Sequence, residues 1–225
     1  EINLNLGCPS GTVVTRGKGS GFLKDPDGLD RFLDEVCRGL EQTRQRLSVK
    51  TRIGWESAEE WQRLLEIFNR YPLAELILHP RLRTDFYKNM PHMDAYAYTV
   101  SRTPLPLCYN GDLKTPEDIR RLEQDFPQTA SVMIGRGLLE MPDLICRVKG
   151  APPAPADRLS EFHGRLLDGY CGTISGDRNI LFKMKEFWSY FGKNFPEKEK
   201  DLKKLKKAKD LQTYREIAAS ILETA

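Results

Sequence analysis

The chain has 225 residues, 40% hydrophobic and 30% charged, with a formal charge of +3. Those values suit a soluble globular protein able to bury a real core, and with no run of about eighteen apolar residues and no basic-then-apolar start, neither a membrane span nor a secretion signal is expected. Five cysteines with no CxxC or CxxH spacing suggest neither a disulfide framework nor a zinc site, and fit a reducing cytoplasm.

Taken in chain order, Ile2, Leu4 and Leu6 alternate with Asn3 and Asn5, which predicts a short strand that Gly7 and Pro9 stop. Cys8 then lies at a strand tip, where either packing or a reactive thiol could place it. Glu1 already belongs to this strand, so the sequence is expected to be part of a longer one. Helical spacing from Leu29 to Leu47 leads into LSVKTRI, and a second helix from Ala58 to Tyr71 into LAELILH. His79 to Leu105 reads as a longer irregular connection carrying Tyr87, His92 and Tyr96. LPLCYNG is the fourth strand. Thr115 is then a cap, Pro116 the first residue of a helix to Phe126, and ASVMIG the fifth strand.

Strands alternating with helices imply parallel strands with crossover connections, hence an α/β fold of TIM-barrel type with about five strands present. The Pro/Ala stretch APPAPADR breaks the pattern. Beyond it, Leu159 to Tyr170, Asn179 to Gly192, Lys198 to Ala208 and Leu211 to Thr224 read as helices. The expected division is a partial barrel over 1–150 and a small all-α domain over 151–225. Between Asp177 and Asp210 the charge is +5, leaving −2 for the remainder, so the helical part holds the basic surplus, a phosphate footprint or a solvated lysine face.

In a parallel barrel the reactive groups gather at the C-terminal strand ends. Those ends offer Asn5 and Cys8, Lys50 and Arg52, His79 and Arg81, Asn110, Gly111 and Asp112, and finally Gly135 and Arg136. NGD and IGRG both place a glycine between an apolar strand and a helix, which favours an anion, and Arg136 adds a fork suited to phosphate. A phosphate-bearing cofactor is expected there. Lys50 either points into the barrel, where it needs an anionic partner such as a flavin ring, or faces solvent from an edge strand. His79 is a core histidine or a ligand; the sequence HPR at a strand end shifts it towards function.

Six ordered segments resemble the flavin-dependent tRNA-dihydrouridine synthases. They are NLGCPS with GKGSGFLKDP, VKTRIGW, HPRLRTDFYKN, YNGDL, VMIGRGLLEMP and FKMKEFWSY, running from Ile2 to about Tyr190. Pro80 and Leu82 depart from the glycine and threonine usual in the third motif. The family barrel has eight strands, so three would precede Glu1, and an open five-strand wall would leave edges unpaired. The resemblance implies reduction of a tRNA uridine at C5–C6, with FMN recharged by NADPH or NADH. Cys8 would be the proton donor, since a free thiol with pKa near 8.5 stays protonated near neutrality.

The resemblance also implies roles for the other tips. Lys50 and His79 would contact the flavin, and Asn110, Gly111, Asp112, Gly135 and Arg136 would hold its phosphate. Asn5, Arg52, Arg81 and Tyr87 would face the substrate, flipped out of the folded RNA. In the helical domain Lys183 and Lys185 would touch tRNA, while Phe187, Trp188 and Tyr190 more simply pack a core. A cytoplasmic monomer without a metal is expected. Two other readings use the same residues: a dihydroorotate-dehydrogenase-like enzyme acting on a small pyrimidine, and a non-catalytic RNA-binding protein with a degenerate barrel.

Overall fold

The computed structural model describes residues 1–223. Two compact units form: Glu1–Leu113 with Arg120–Ile134, and Lys114–Ile119 with Gly135 onwards.

The first unit is built on five parallel strands: β1 (Ile2–Leu6), β2 (Leu47–Gly54), β3 (Glu75–Leu82), β4 (Leu107–Asn110) and β5 (Ser131–Met133). They lie in sequence order in one open sheet, with β1 and β5 at its edges. This is the α/β architecture expected of consecutive barrel strands, not closed on itself. The loop after β1 holds a helical turn α1 (Gly11–Val14) and a 3-10 segment, Gly19–Lys24. Helix α2 (Pro26–Leu40) follows, started by Asp25, whose carboxylate accepts from the Gly28 N–H at 2.9 Å, and by Pro26 at its first position. It ends seven residues before Leu47, earlier than the spacing suggests, because Leu47 is the first residue of β2. Helix α3 (Glu60–Phe68) inserts Trp61, Leu64, Leu65 and Phe68, all essentially buried. Removing each such side chain from water is worth about 1.5–3 kcal/mol.

The connection from β3 to β4 is not irregular throughout: it contains α4 (Met93–Arg102). β-favouring Tyr96, Tyr98, Thr99 and Val100 obscure the helical period, and tertiary contacts override that propensity. Tyr96 is fully buried, edge-on to Tyr109 and Phe126, with its hydroxyl 2.7 Å from the Thr129 hydroxyl. The Thr99 hydroxyl accepts from the Trp61 indole N–H at 2.7 Å, tying α4 to α3.

Register decides what the sheet displays. Asn5 pairs with Lys50, Lys50 with Ile77 and Ile77 with Cys108, so these four side chains share a face, and Arg52 pairs with His79 two residues further along. The opposite face carries Leu6, Val49, Ile53, Leu76, Leu78, Leu107 and Tyr109, all buried.

Helix α5 (Pro116–Asp125) opens as its sequence suggests: Asp118 N–H donates to the Thr115 hydroxyl, and the Asp118 carboxylate accepts from Thr115 N–H. In the second unit α6 (Arg136–Glu140) and α7 (Leu144–Val148) precede the Pro/Ala stretch. Then come α8 (Ala156–Thr173), α9 (Asp177–Phe191), α10 (Glu199–Lys207) and α11 (Leu211–Leu222). Thr224, the expected end of the last helix, lies outside the described residues. The core of this unit is aromatic: Phe187, Trp188, Phe191, Phe195 and Tyr214 are buried together. Tyr190 is half-buried.

Candidate active site

The polar face of the sheet and the turns beyond its strand ends hold most of the candidate residues. Cys8 is half-buried in the turn after β1. Its carbonyl accepts from both the N–H and the hydroxyl of Ser20, at 3.1 and 2.8 Å. Gly19, at φ 56°, lies so close that a Cβ there would come within 2.8 Å of the Cys8 carbonyl oxygen. The glycine-rich run GKGSG is therefore a clamp on the cysteine turn. Asn5 is exposed, and its Oδ1 accepts from the Gly7 N–H at 3.0 Å, which assigns the amide and leaves Nδ2 as the outward donor.

Arg52 is only 1% exposed, and each of its three nitrogens donates a hydrogen bond. Nε donates to Gly7 O at 3.0 Å, one terminal nitrogen to Leu82 O at 2.7 Å and the other to Phe86 O at 2.8 Å. A single guanidinium thus joins the cysteine turn to the end of β3 and to the loop beyond. Lys50, two residues earlier, is half-buried and has neither ion pair nor hydrogen bond among the described residues. Burial first, then Arg52, lowers its pKa from the ordinary lysine value.

His79 is buried, and its Nε2 accepts from Arg81 at 2.9 Å, which puts its proton on Nδ1. Burial, followed by Arg52, Lys50 and Arg81, pushes its pKa down to about 3, so the ring is neutral. Arg81, as buried as Arg52, holds Asp112 with both terminal nitrogens, at 2.6 and 3.2 Å, and donates from Nε to Asn89 O at 2.7 Å. The Asp112 carboxylate is therefore turned onto Arg81 and does not itself offer a phosphate a donor.

Asn110 donates to Met133 O at 2.8 Å, locking β4 to β5. Gly111 has a steric reason of its own: a Cβ there would lie 2.1 Å from the Tyr109 hydroxyl. Tyr87 is 53% exposed, its ring centroid 6.0 Å from that of His79 and 5.4 Å from the Arg52 guanidinium carbon. So Asn5, Cys8, Lys50, Arg52, His79, Arg81, Tyr87, Asn110, Gly111 and Asp112 all belong to the first unit. Gly135 and Arg136 belong to the second, as N-cap and first residue of the five-residue α6.

Lys183 and Lys185 lie on α9. Lys183 is exposed and 3.5 Å from Glu186, while the Lys185 amine donates to Ala208 O at the end of α10. Phe187 and Trp188 are core residues. Sequence reasoning passed over Asp85, the hub of the loop after β3. Its carboxylate accepts from Leu82 N–H at 2.7 Å, from Asn89 Nδ2 at 2.5 Å and from His92 Nε2 at 3.0 Å. Those donors pull its pKa below the ordinary aspartate value despite burial, the largest single influence, which acts the other way. The one available signal was an aspartate amid polar loop residues, which local pattern alone does not distinguish from a solvated one. Among the described residues no group of three or more His, Cys, Asp and Glu is arranged to hold a metal, and no helix is long and apolar enough to cross a membrane.

The chain is similar to curated proteins named tRNA-dihydrouridine(16) synthase. It is 29% identical over 150 residues to that of Pseudomonas syringae pv. tomato, covering 67% of this chain and 47% of the relative. With the Escherichia coli K12 protein the identity is 30% over 202 residues, 87% of this chain and 62% of the relative. The Shewanella oneidensis protein is 26% identical over 204 residues, with the same two coverages. The chain thus spans about half to three fifths of the length of these relatives. A family model described as dihydrouridine synthase (Dus) matches residues 1–221, from the strand before the cysteine turn into the last helix, and the chain belongs to that family.

Proposed function

We propose that this chain carries the proton-donating and substrate-facing residues of an enzyme that reduces a uridine of tRNA to 5,6-dihydrouridine. The observation that supports this most is the polar face on which Asn5, Lys50, Arg52, His79 and Asn110 lie, with Cys8 in the clamped turn beyond its first strand. FMN fits this face. A half-buried ammonium without a carboxylate partner is relieved by an anionic ligand, and Lys50 is such a group. Neutral His79 offers an Nδ1–H donor without adding a further positive charge beside Lys50 and Arg52. Lys50, His79, Asn110 and the Gly111 turn would hold the cofactor.

Bound FMN, recharged by NADPH, would supply the two reducing equivalents. The chain supplies the proton: the Cys8 thiol gives it to C5 of the uracil as C6 is reduced. Nδ2 of Asn5 would donate to the uracil edge, because its Oδ1 is already bonded to Gly7. Arg52 and Arg81 act indirectly, Arg52 fixing the cysteine turn and Arg81 fixing the tautomer of His79. Tyr87 would border the extruded nucleotide. The helical residues from 151 onwards would form the tRNA-binding domain, with Lys183 and Lys185 on its RNA side.

The test uses the full-length protein with FMN and tRNA transcript. Cys8→Ala is expected to retain flavin absorbance while dihydrouridine formation falls by about 10²- to 10⁴-fold. An unchanged rate refutes the proton-donor role, and wild-type protein that binds no flavin refutes the cofactor. The relatives' names point to position 16 as the uridine to map first.

A further inference from the structure

Phe86 is the one non-glycine residue with positive φ, 50°, among the described residues. That left-handed conformation suits glycine and is sparsely occupied by bulky side chains. The loop around it is firmly tied down: Asp85 takes three donors, Arg52 donates to the Phe86 carbonyl and Arg81 to the Asn89 carbonyl. Yet this restraint does not bury the ring. Phe86 is 40% exposed, beside Tyr87 and Met90, which are more exposed still. A strained backbone that presents an aromatic ring to solvent serves recognition better than stability.

The charges nearby are cationic and organised by a second aromatic residue. The Arg83 guanidinium carbon is 5.2 Å from the Phe86 ring centroid and 4.5 Å from that of Trp55. The Lys24 amine is 3.9 Å from the Trp55 ring. Neither cation has an ion pair among the described residues, and Arg83 Nε is buried without a hydrogen-bond partner. The acids facing this group are already occupied. Glu60 accepts from the N–H groups of Trp55, Glu56 and Ser57, Glu56 accepts from the Trp55 indole, and Asp85 is the loop hub.

We propose that Phe86, Trp55, Lys24 and Arg83 form a docking platform for a single RNA strand. A base stacks on Phe86, and the adjoining phosphates sit on Lys24 and Arg83. Two cations outside any ion pair, beside an exposed ring, match a ligand that repeats flat bases and phosphates rather than a peptide. The platform rests on the reading of the enzyme as acting on tRNA, and assigns the place where nucleotides next to the reduced one are held, adjoining Tyr87.

The experiment measures binding of fluorescent tRNA transcript by the full-length protein, together with thermal melting. Phe86→Gly relieves the backbone, so it should melt at or above the parent temperature while binding tRNA about 5- to 100-fold more weakly. Phe86→Trp should stay within about 2-fold of the parent, because it keeps the stacking surface. Lys24→Gln combined with Arg83→Gln should flatten the slope of log affinity against log salt by about 1 to 2. Parental affinity in Phe86→Gly, an unchanged salt slope, or a melting temperature below the parent's overturns the platform and leaves the tRNA reading standing if the parent binds. A parent that binds no tRNA overturns both.

Discussion

Arg52 shows how far a residue's role depends on its surroundings. As a cation at a strand end it suggests a ligand contact, but in the fold its three donor groups face three carbonyls from three separate segments. The planar fork makes this possible, and an ammonium could not copy it. Arg52→Met would leave those carbonyls buried without donors and is expected to lower stability by about 2–4 kcal/mol, read as a lower urea midpoint. If the midpoint holds while tRNA binding is lost, Arg52 faces the substrate instead. His79 makes the companion point. Its low pKa arises because burial and three cations all disfavour the charged ring, and the bond from Arg81 selects the tautomer.

At the level of elements, the helices of the second unit are joined by a buried polar triad. His163 of α8, Trp188 of α9 and Tyr214 of α11 meet, with His163 Nε2 and the Tyr214 hydroxyl 2.6 Å apart. The Trp188 indole donates to that hydroxyl at 2.7 Å. Burial, then Arg215, pushes the His163 pKa down to about 4. Since the unfolded chain titrates near 6.5, the unfolded state binds the proton more readily. The stabilisation from the neutral ring is therefore complete above about pH 6.5, and is lost as pH falls through about 4. The loss should reach on the order of 3 kcal/mol. Urea unfolding between pH 7 and 4 should show it, and His163→Gln should flatten that dependence. An equally steep profile in the variant would place the acid sensitivity elsewhere.

Considered as a whole molecule, the chain is nearly balanced in charge, but the stretch from Asp177 to Asp210 is strongly basic. Lys203 and Lys204 are paired with Glu199 and Asp201, whereas Lys200, Lys206 and Lys209 have no ion pair among the described residues. If these three face RNA phosphates, replacing them together by glutamine should reduce the salt slope of tRNA binding by about 2. Flavin content should not change, since the proposed cofactor residues lie on the sheet. An unchanged slope would make the lysines a solvated face.

The residues alone determined the alternation of strands and helices and the polar strand tips, because period-two runs and capping signals such as Thr115 with Pro116 are local. They also led to the family, since its motifs are short and ordered. Local pattern did not reveal α4, whose Tyr96 gains its helical place by packing on Tyr109 and Phe126. Nor could it tell which cations are engaged and which are open. Lys50 and Arg52 are two residues apart on one face, yet only the tertiary structure brings Gly7, Leu82 and Phe86 to the arginine and leaves the lysine without a partner. The reason is physical: the partner of a charged side chain is chosen by what the fold places within about 3 Å of it, and here those groups lie tens of residues away along the chain.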